Sequence, residues 1–330
     1  MTYKYNNVYI EDAFTIGGPY ESNGPIGSYL SKRYTRNLYF NETSWEKAET
    51  KILHESIFNL LKNNNLFDND IDLIISGDLQ NQISSSNYAI RNFNIPFLGI
   101  YNACATISEG MIIASNFIEN NNNKRIIVST SSHNMMSEKQ FRNPTEYGAP
   151  KPDTATFTVT GAASVLLTNN KSKIKVESST IGKVMDLNVT DVNHMGAVMA
   201  PAAAETIYKH LKDLNRDNNY YDLILTGDLG IYGEKIIKDY LKQKYKFNLK
   251  NYKDCGTIIY DTNKQPVFAG GSGPVCSALV MFSYILDLMK EGKYKKVLFV
   301  PTGALFSPTR VFQKESIPSI AHAISLEVVK

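Results

Sequence analysis

The sequence predicts an α/β protein made of two similar halves that share one core. The first observation behind this is an internal echo. Residues 72–80 read Asp-Leu-Ile-Ile-Ser-Gly-Asp-Leu-Gln and residues 222–230 read Asp-Leu-Ile-Leu-Thr-Gly-Asp-Leu-Gly. Each is a short, β-rich apolar run ending in a Gly-Asp loop, the pattern of a buried parallel strand that delivers its C-terminal end to a site. The second observation is that the surroundings repeat too: helix, strand, loop, small-residue turn, helix, basic dipeptide, strand. With 330 residues and 43% hydrophobic content, the chain has enough apolar material for one large duplicated core.

Taken in order, the first half opens its repeat with helical spacing from Ala48 to Leu61, followed by the first echo strand. Ile95-Pro-Phe-Leu-Gly-Ile-Tyr-Asn-Ala-Cys104 then reads as a strand running into a tight turn. A helical run to Ile118 and the strand Lys124-Arg-Ile-Ile-Val-Ser-Thr complete the half. In the second half, helical spacing from Ala202 to Leu214 precedes the second echo strand. Val267-Phe-Ala-Gly-Gly-Ser-Gly-Pro-Val-Cys276 matches the Cys104 segment, a helical run to Met289 follows, and Lys295-Lys-Val-Leu-Phe-Val is the closing strand. The expected division is residues 1–170 and 171–330, joined near Asn169 to Ser172. Glu138 to Asp153, with Arg142, Gly148 and three prolines, is long for a connection and reads as a lid, an interface or a surface excursion.

Composition excludes several classes. A net charge of +3 with a pI near 8.5 is too weak for a nucleic-acid binder, which needs its basic residues concentrated. Three cysteines, an odd number, do not make a disulfide framework and fit a reducing compartment. The N-terminus lacks the apolar core of a signal peptide, and no run approaches the ~20 apolar residues of a membrane span. Contact with a membrane is therefore expected at its surface or through partners. Metal-ligand spacing and phosphate-binding glycine loops are missing, and Gly270-Gly-Ser-Gly273 reads as a close-packed turn.

Cys104 is the leading candidate for chemistry. It opens a helix, where unpaired N–H groups and the helix dipole favour a thiolate, although free cysteines are often simply packed. Ser131, Ser132 and His133 follow a strand, where α/β sheets line their ligand crevices. Asp78 and Asp228 each end an echo strand, as ligand contacts or as turn and cap residues. Asp78 is favoured because its half also supplies Cys104 and His133. His54 and His210 read as surface or satisfied positions, His322 as structural within an apparent last strand from Ile320 to Val328, and His194 as ambiguous.

These stretches resemble the thiolase and ketoacyl-synthase superfamily: a cysteine elbow in one half and a glycine-rich turn in the other. Within it, the chain is similar to the stage V sporulation protein AD family of endospore-forming bacteria. The resemblance rests on Gly77-Asp-Leu-Gln-Asn-Gln82, Ile95-Pro-Phe-Leu-Gly-Ile-Tyr101, Ser131-Ser-His133 and Gln140-Phe-Arg-Asn-Pro-Thr-Glu-Tyr-Gly148. In the second half it rests on Met195-Gly-Ala-Val-Met-Ala-Pro-Ala-Ala203, Thr226-Gly-Asp-Leu-Gly230, Thr302-Gly-Ala-Leu-Phe-Ser-Pro308 and Glu315-Ser-Ile-Pro318. One departure is Gly273-Pro-Val-Cys276, where Gly-Cys-Gly-Cys is expected.

The resemblance implies a thiolase-like fold with a layered αβαβα core. It also implies non-catalytic binding of dipicolinic acid (pyridine-2,6-dicarboxylate) for uptake into the developing spore. Asp78, Cys104, Ser131, Ser132 and His133 would form the pocket, with no cofactor, though calcium could accompany the ligand. Asp78 would orient His133 or contact that calcium. Implied partners are other stage V sporulation A channel proteins at the forespore inner membrane, where the chain would sit peripherally as a homodimer. The alternative is an acyl-transferring or condensing enzyme with Cys104 as nucleophile. Condensation needs His, or His and Asn, from second-half loops, and neither Thr226–Gly230 nor Gly270–Cys276 supplies one.

Overall fold

The computed structural model describes residues 1–120, 123–141 and 150–329. Its principal elements, in chain order, begin with β1 (Tyr9–Gly17), α1 (Trp45–Asn63), β2 (Leu73–Gly77), α2 (Ser84–Ile90), β3 (Phe97–Gly99) and α3 (Thr106–Glu119). Next come β4 (Arg125–Ser132), α4 (Asn134–Phe141) and β5 (Gly161–Thr168). The second half runs β6 (Ile174–Thr180), α5 (Met195–Asp213), β7 (Leu223–Thr226), α6 (Gly230–Tyr245), β8 (Tyr252–Asp254) and α7 (Cys255–Ile259). It continues with α8 (Pro274–Leu279), a π-helical stretch Val280–Ile285, α9 (Leu286–Lys290), β9 (Lys296–Val300) and β10 (Ala323–Val328).

The strands form one sheet in the order β8-β7-β9-β10-β6-β1-β5-β4-β2-β3, with two short strands off this path. Read outward from its centre, the sheet is the same on both sides. β1 and β6 correspond, then β5 and β10, β4 and β9, β2 and β7, β3 and β8. The pairings match as well: β1–β5 and β6–β10 are antiparallel, while β4–β2–β3 and β9–β7–β8 are parallel. At the centre of the sheet β1 and β6 pair at Tyr9–Lys175 and Ile10–Ile174, and the short strand Thr2–Lys4 adds three further pairs to β6. The chain crosses between them after Thr168 and before Ile174.

Alternation along the strands sets the layers. In β2, Ile75 packs in the central core and its neighbour Ile74 against α1; Val128 and Ile127 of β4 divide the same way. In the second half Leu225 and Phe299 face the centre, and Ile224 and Leu298 face α5 and α6. The central layer is α3 with the run from α8 to α9, buried by both half-sheets. The result is α1/α2, sheet, α3 with α8–α9, sheet, α5/α6: five layers, αβαβα. Gly110 lets α3 lie on β4, since a Cβ there would stand 2.5 Å from Val128 Cγ1. Helix α1 starts where Ser44 Oγ accepts from the Lys47 N–H at 3.3 Å, and it buries Ala48, Ile52, Leu53, Ile57, Leu60 and Leu61 at helical spacing.

Two expectations are corrected. The counterpart of β3 is β8, not the segment from Val267. Gly270, Gly271 and Gly273 weaken that segment as a strand, and it keeps only Gly271–Ser272, paired with Phe157–Thr158 off the main sheet. The last strand also breaks at His322: Ser319–Ala321 pairs with Thr302–Ala304, and only β10 joins the large sheet. Half of the segment from Glu138 to Asp153, residues 142–149, lies outside the described residues.

Candidate functional site

Cys104 sits in a turn made by its neighbours. Beyond β3, Ala103 adopts φ +47°, a left-handed conformation costly for a residue with a Cβ. Thr106 holds it there, accepting from the Asn102 N–H at 3.1 Å and donating to the Ala103 carbonyl at 2.7 Å. The chain reverses through the 3₁₀ turn Ala103–Ala105 and enters α3, leaving the thiol partly exposed to a cleft between the halves.

The second half supplies what faces that thiol. Asp228, beyond β7, is fully buried and its carboxylate accepts from Thr302 Oγ1 at 2.7 Å, the Gly273 N–H at 3.1 Å and Ser272 Oγ at 3.2 Å. The Cys104 thiol lies near enough to this carboxylate for each to shift the other's titration. Gly273 turns at φ +98° before Pro274 starts α8, and a Cβ there would stand 3.0 Å from Ser132 Oγ. Burial raises the Asp228 carboxyl to about 6, against the pull of Thr302, Cys104 and Gly273. Burial and the Asp228 charge raise the Cys104 thiol well above its ordinary value. The expected thiolate is therefore corrected: desolvation and an adjacent carboxylate outweigh the helix N-terminus, and Cys104 is a neutral thiol.

The cleft encloses about 100 Å³. Tyr101, Phe141, Met195, Met199 and Phe306 make its apolar walls, and Ser137, Thr156, Thr158 and Ser272 add hydroxyls. Glu138, paired with Lys151 at 2.8 Å, is the charged side chain on the wall, and among the described residues no Lys, Arg, His or Asn lines the cleft.

Of the five residues expected in the pocket, only Cys104 lines it. The Asp78 carboxylate accepts from the Gln80 and Ser86 N–H groups, both at 2.8 Å, and so holds the entry to α2. Ser131 donates to Glu49 at 2.9 Å, and Ser132 donates to the Val159 carbonyl at 2.7 Å, behind Gly273. His133 donates Nε2–H to the Leu38 carbonyl at 2.8 Å, while burial lowers its pKa and keeps it neutral. The expected Asp78–His133 contact is not made: Asp78 is taken up by the Gln80 and Ser86 N–H groups, while His133 bonds Leu38 through Nε2 and its buried Nδ1 has no partner among the described residues. Glu49, pushed up to about 8 by burial and then by the Asp78 charge, makes this a closed polar cluster beneath the sheet end.

Asp228 and Asp78 occupy equivalent positions and neither lines the cleft, but Asp228 is buried directly behind Ser272 and Gly273, which do. In the second half Asp254 does the backbone work, accepting from the Leu229, Gly230 and Gly256 N–H groups at 2.9–3.0 Å. That releases Asp228, whereas in the first half Asp78 takes the N–H groups itself. Ser272 and Thr302 were legible only as parts of glycine-containing turns.

A second polar group lies behind the cysteine turn. The Gly182 N–H donates to His322 Nδ1 at 3.1 Å, so the neutral ring carries its proton on Nε2, 2.9 Å from the Asn102 side-chain amide. That proton calls for the amide oxygen, which leaves the amide nitrogen for Glu109, the other partner of Asn102. Burial lowers His322 to about 4 and raises Glu109, which fits a structural role for this histidine.

Comparison with known proteins agrees with this architecture. The profile of the family "Stage V sporulation protein AD (SpoVAD)" matches residues 2–327. Stage V sporulation protein AD of Bacillus subtilis (strain 168) is 48% identical over 321 residues, 97% of this chain and 94% of that protein. Among solved structures, an OleA variant from Xanthomonas campestris superposes with a TM-score of 0.62 at 12% identity, covering 98% of this chain and 99% of that one. An OleA variant with bound lauric acid and lauroyl-CoA gives 0.60 at 12% identity, with 97% and 99% covered. At that identity the likeness shows the fold alone, which is thiolase-like. The chain belongs to the stage V sporulation protein AD family and serves in sporulation.

Proposed function

We propose that this chain binds dipicolinic acid at the Cys104–Asp228 cleft, without catalysis, for uptake into the developing spore. The observation that carries the non-catalytic half is the carboxylate facing the cysteine. A condensing site places imidazole or amide groups there to donate to the thioester oxygen and to move protons. Here the second-half loops bring Asp228 and Ser272 to the thiol. A carboxylate opposes both thiolate and oxyanion, and losing one oxyanion donor alone typically costs roughly 10²–10³ in rate.

The family membership motivates the ligand. The enclosed space of about 100 Å³ is less than the ~150 Å³ that holds a benzene ring, so dipicolinate would seat one edge in the cleft and project the rest through its open side. Its charge favours a neutralised guest. Asp228, buried just behind the cysteine, would repel a bare dianion, whereas a calcium chelate brings a hard cation that carboxylate oxygens prefer. In this reading calcium travels as cargo.

The same reading makes the chain a peripheral protein of the spore inner membrane, associated with other stage V sporulation A proteins. It also makes it a homodimer joined along β3. Among the described residues no helix is long and apolar enough to cross a membrane. β3 pairs on one side only, with Leu98, Tyr101 and Tyr88 exposed around it. Leu98→Lys should then lower the mass seen by light scattering, and an unchanged mass would move the interface elsewhere.

Equilibrium titration with dipicolinate, with and without calcium, tests the ligand. We expect saturable binding that Cys104→Ala weakens about tenfold or less, the loss of one contact. Asp228→Asn should strengthen binding of the bare dianion and weaken that of the calcium chelate. No binding in either form, together with acylation of Cys104 by a coenzyme A thioester, would overturn the reading in favour of acyl transfer.

A further inference from the structure

The two outer faces of this duplicated fold differ in charge. Residues 230–254, covering α6, its exit and β8, contain seven lysines, three acids and no arginine, a net +4. The whole chain carries +3, so the remaining residues sum to −1. All seven lysines are exposed. Lys235, Lys238 and Lys242 stand at i, i+3 and i+7 on one face of α6, and Lys246 extends the row past its end. The row spans ~16 Å at 1.5 Å per residue, about two screening lengths at physiological salt, so neighbouring charges act together.

Few of these charges are matched within the chain. Lys244 pairs with Glu205 at 2.8 Å and Lys238 reaches Glu234 at 4.0 Å. Lys250 meets Asn219 at 3.3 Å, and Asp239 sits within the row. Among the described residues Lys242, Lys246 and Lys253 have no acidic partner, and Lys235 has only the Tyr232 ring, 5.8 Å away.

We propose that this face docks on an anionic lipid surface. The lysines are point charges on a convex helix, suited to diffuse attraction by many headgroups. They lack the planar fork with which arginine reads a phosphate or a base. The aromatic residues between them are committed inward. Tyr245 stacks on Tyr208 at 3.8 Å, Tyr240 and Tyr245 bond Glu205, and Tyr252 bonds Thr226, so no platform for stacking bases is presented. β8 also lies at the opposite end of the sheet from β3, which leaves the face open in a dimer joined along β3.

The inference rests on the reading that the chain works at a membrane surface, and the two fail separately. Full-length protein is sedimented with phosphatidylglycerol–phosphatidylcholine vesicles and with pure phosphatidylcholine vesicles. It should bind the first at low salt, release as salt rises, and ignore the second. Combining Lys235→Gln, Lys242→Gln, Lys246→Asn and Lys253→Gln should reduce partitioning on the order of 10²–10³-fold, about fivefold per lysine. The same number of changes elsewhere (Lys62, Lys171, Lys290 and Lys293, each to Gln) should leave it unchanged. Equal loss in both sets would show a net-charge effect and overturn the assignment, as would undiminished binding by the first set. Retention on duplex DNA at salt that strips the protein from vesicles would replace lipid with nucleic acid. If the wild-type protein ignores anionic vesicles yet fractionates with spore membranes, the lipid face is wrong and the membrane location stands. If it does neither, both fail.

Discussion

The pairing of Cys104 with Asp228 makes a test at the level of one atom. The carboxylate, held in place by Thr302, Ser272 and the Gly273 N–H, raises the thiol by its charge. Asp228→Asn removes the charge and keeps the shape. It should speed alkylation of Cys104 by iodoacetamide near pH 8 at least tenfold, read by mass spectrometry of the labelled peptide. An unchanged rate would mean that burial alone suppresses the thiolate. The sequence located Cys104 but chose the wrong aspartate to accompany it. The echo makes Asp78 and Asp228 look alike, and what separates them is which one the local N–H groups occupy. In the second half Asp254 settles that from a strand 26 residues further on, a contact no short motif reports.

At the scale of elements, the central layer tolerates the least change. Helix α3 is enclosed by both half-sheets, and Gly110 is where it comes nearest to β4. Gly110→Val puts branched atoms where a Cβ already stands 2.5 Å from Val128 Cγ1, with Ile75 and Ile100 beside it. The expected cost is about 3 kcal/mol or more, seen as a lower urea midpoint; an unchanged midpoint would show that the layers can part. The long helices and the echo strands were legible because their periodicity is local. The assignment of Val267–Cys276 to the place of β8, and of one unbroken strand to 320–328, failed for the opposite reason. Strand identity there depends on partners far along the chain, Phe157–Thr158 for one and Thr302–Ala304 for the other.

For the whole molecule, buried acids decide how stability follows pH. Burial raises Glu21, hydrogen-bonded by Tyr260 and the Thr160 N–H, to about 7; Asp228 to about 6; and Glu49 to about 8. A carboxyl raised on folding binds its proton more tightly in the native state. Its contribution is complete below the unfolded value near 4.5 and is lost as pH climbs through the folded value. Burial lowers His210 to about 3 and His322 to about 4, and these histidines offset the acids up to about pH 6.5. Unfolding free energy should therefore decline from about pH 6.5 to pH 8, by up to ~1.4 kcal/mol per pH unit for each acid titrating. Urea melts at half-unit intervals measure this, and Glu21→Gln should flatten the part of the decline near pH 7. A stability that rises with pH over that range would contradict the burial of these groups. The duplication itself was visible from two nine-residue strings, and the five layers follow from strand alternation. The acids were not visible, because nothing in Glu21 or Glu49 as letters marks them as enclosed.

The cleft is a seam: Cys104 lines it from one half and Ser272 and Gly273 from the other, with Asp228 and Thr302 buried behind them. A guest seated there would be a rivet through two plates that otherwise touch along the central strands of the sheet, at Phe157–Thr158 beside Gly271–Ser272, and in a shared helical layer. Occupancy then becomes a mechanical quantity as well as a chemical one. If the proposed ligand binds there, filling the cleft to a hundred times its dissociation constant would tie the plates together by about 2.7 kcal/mol, and the melting temperature would gauge the occupancy.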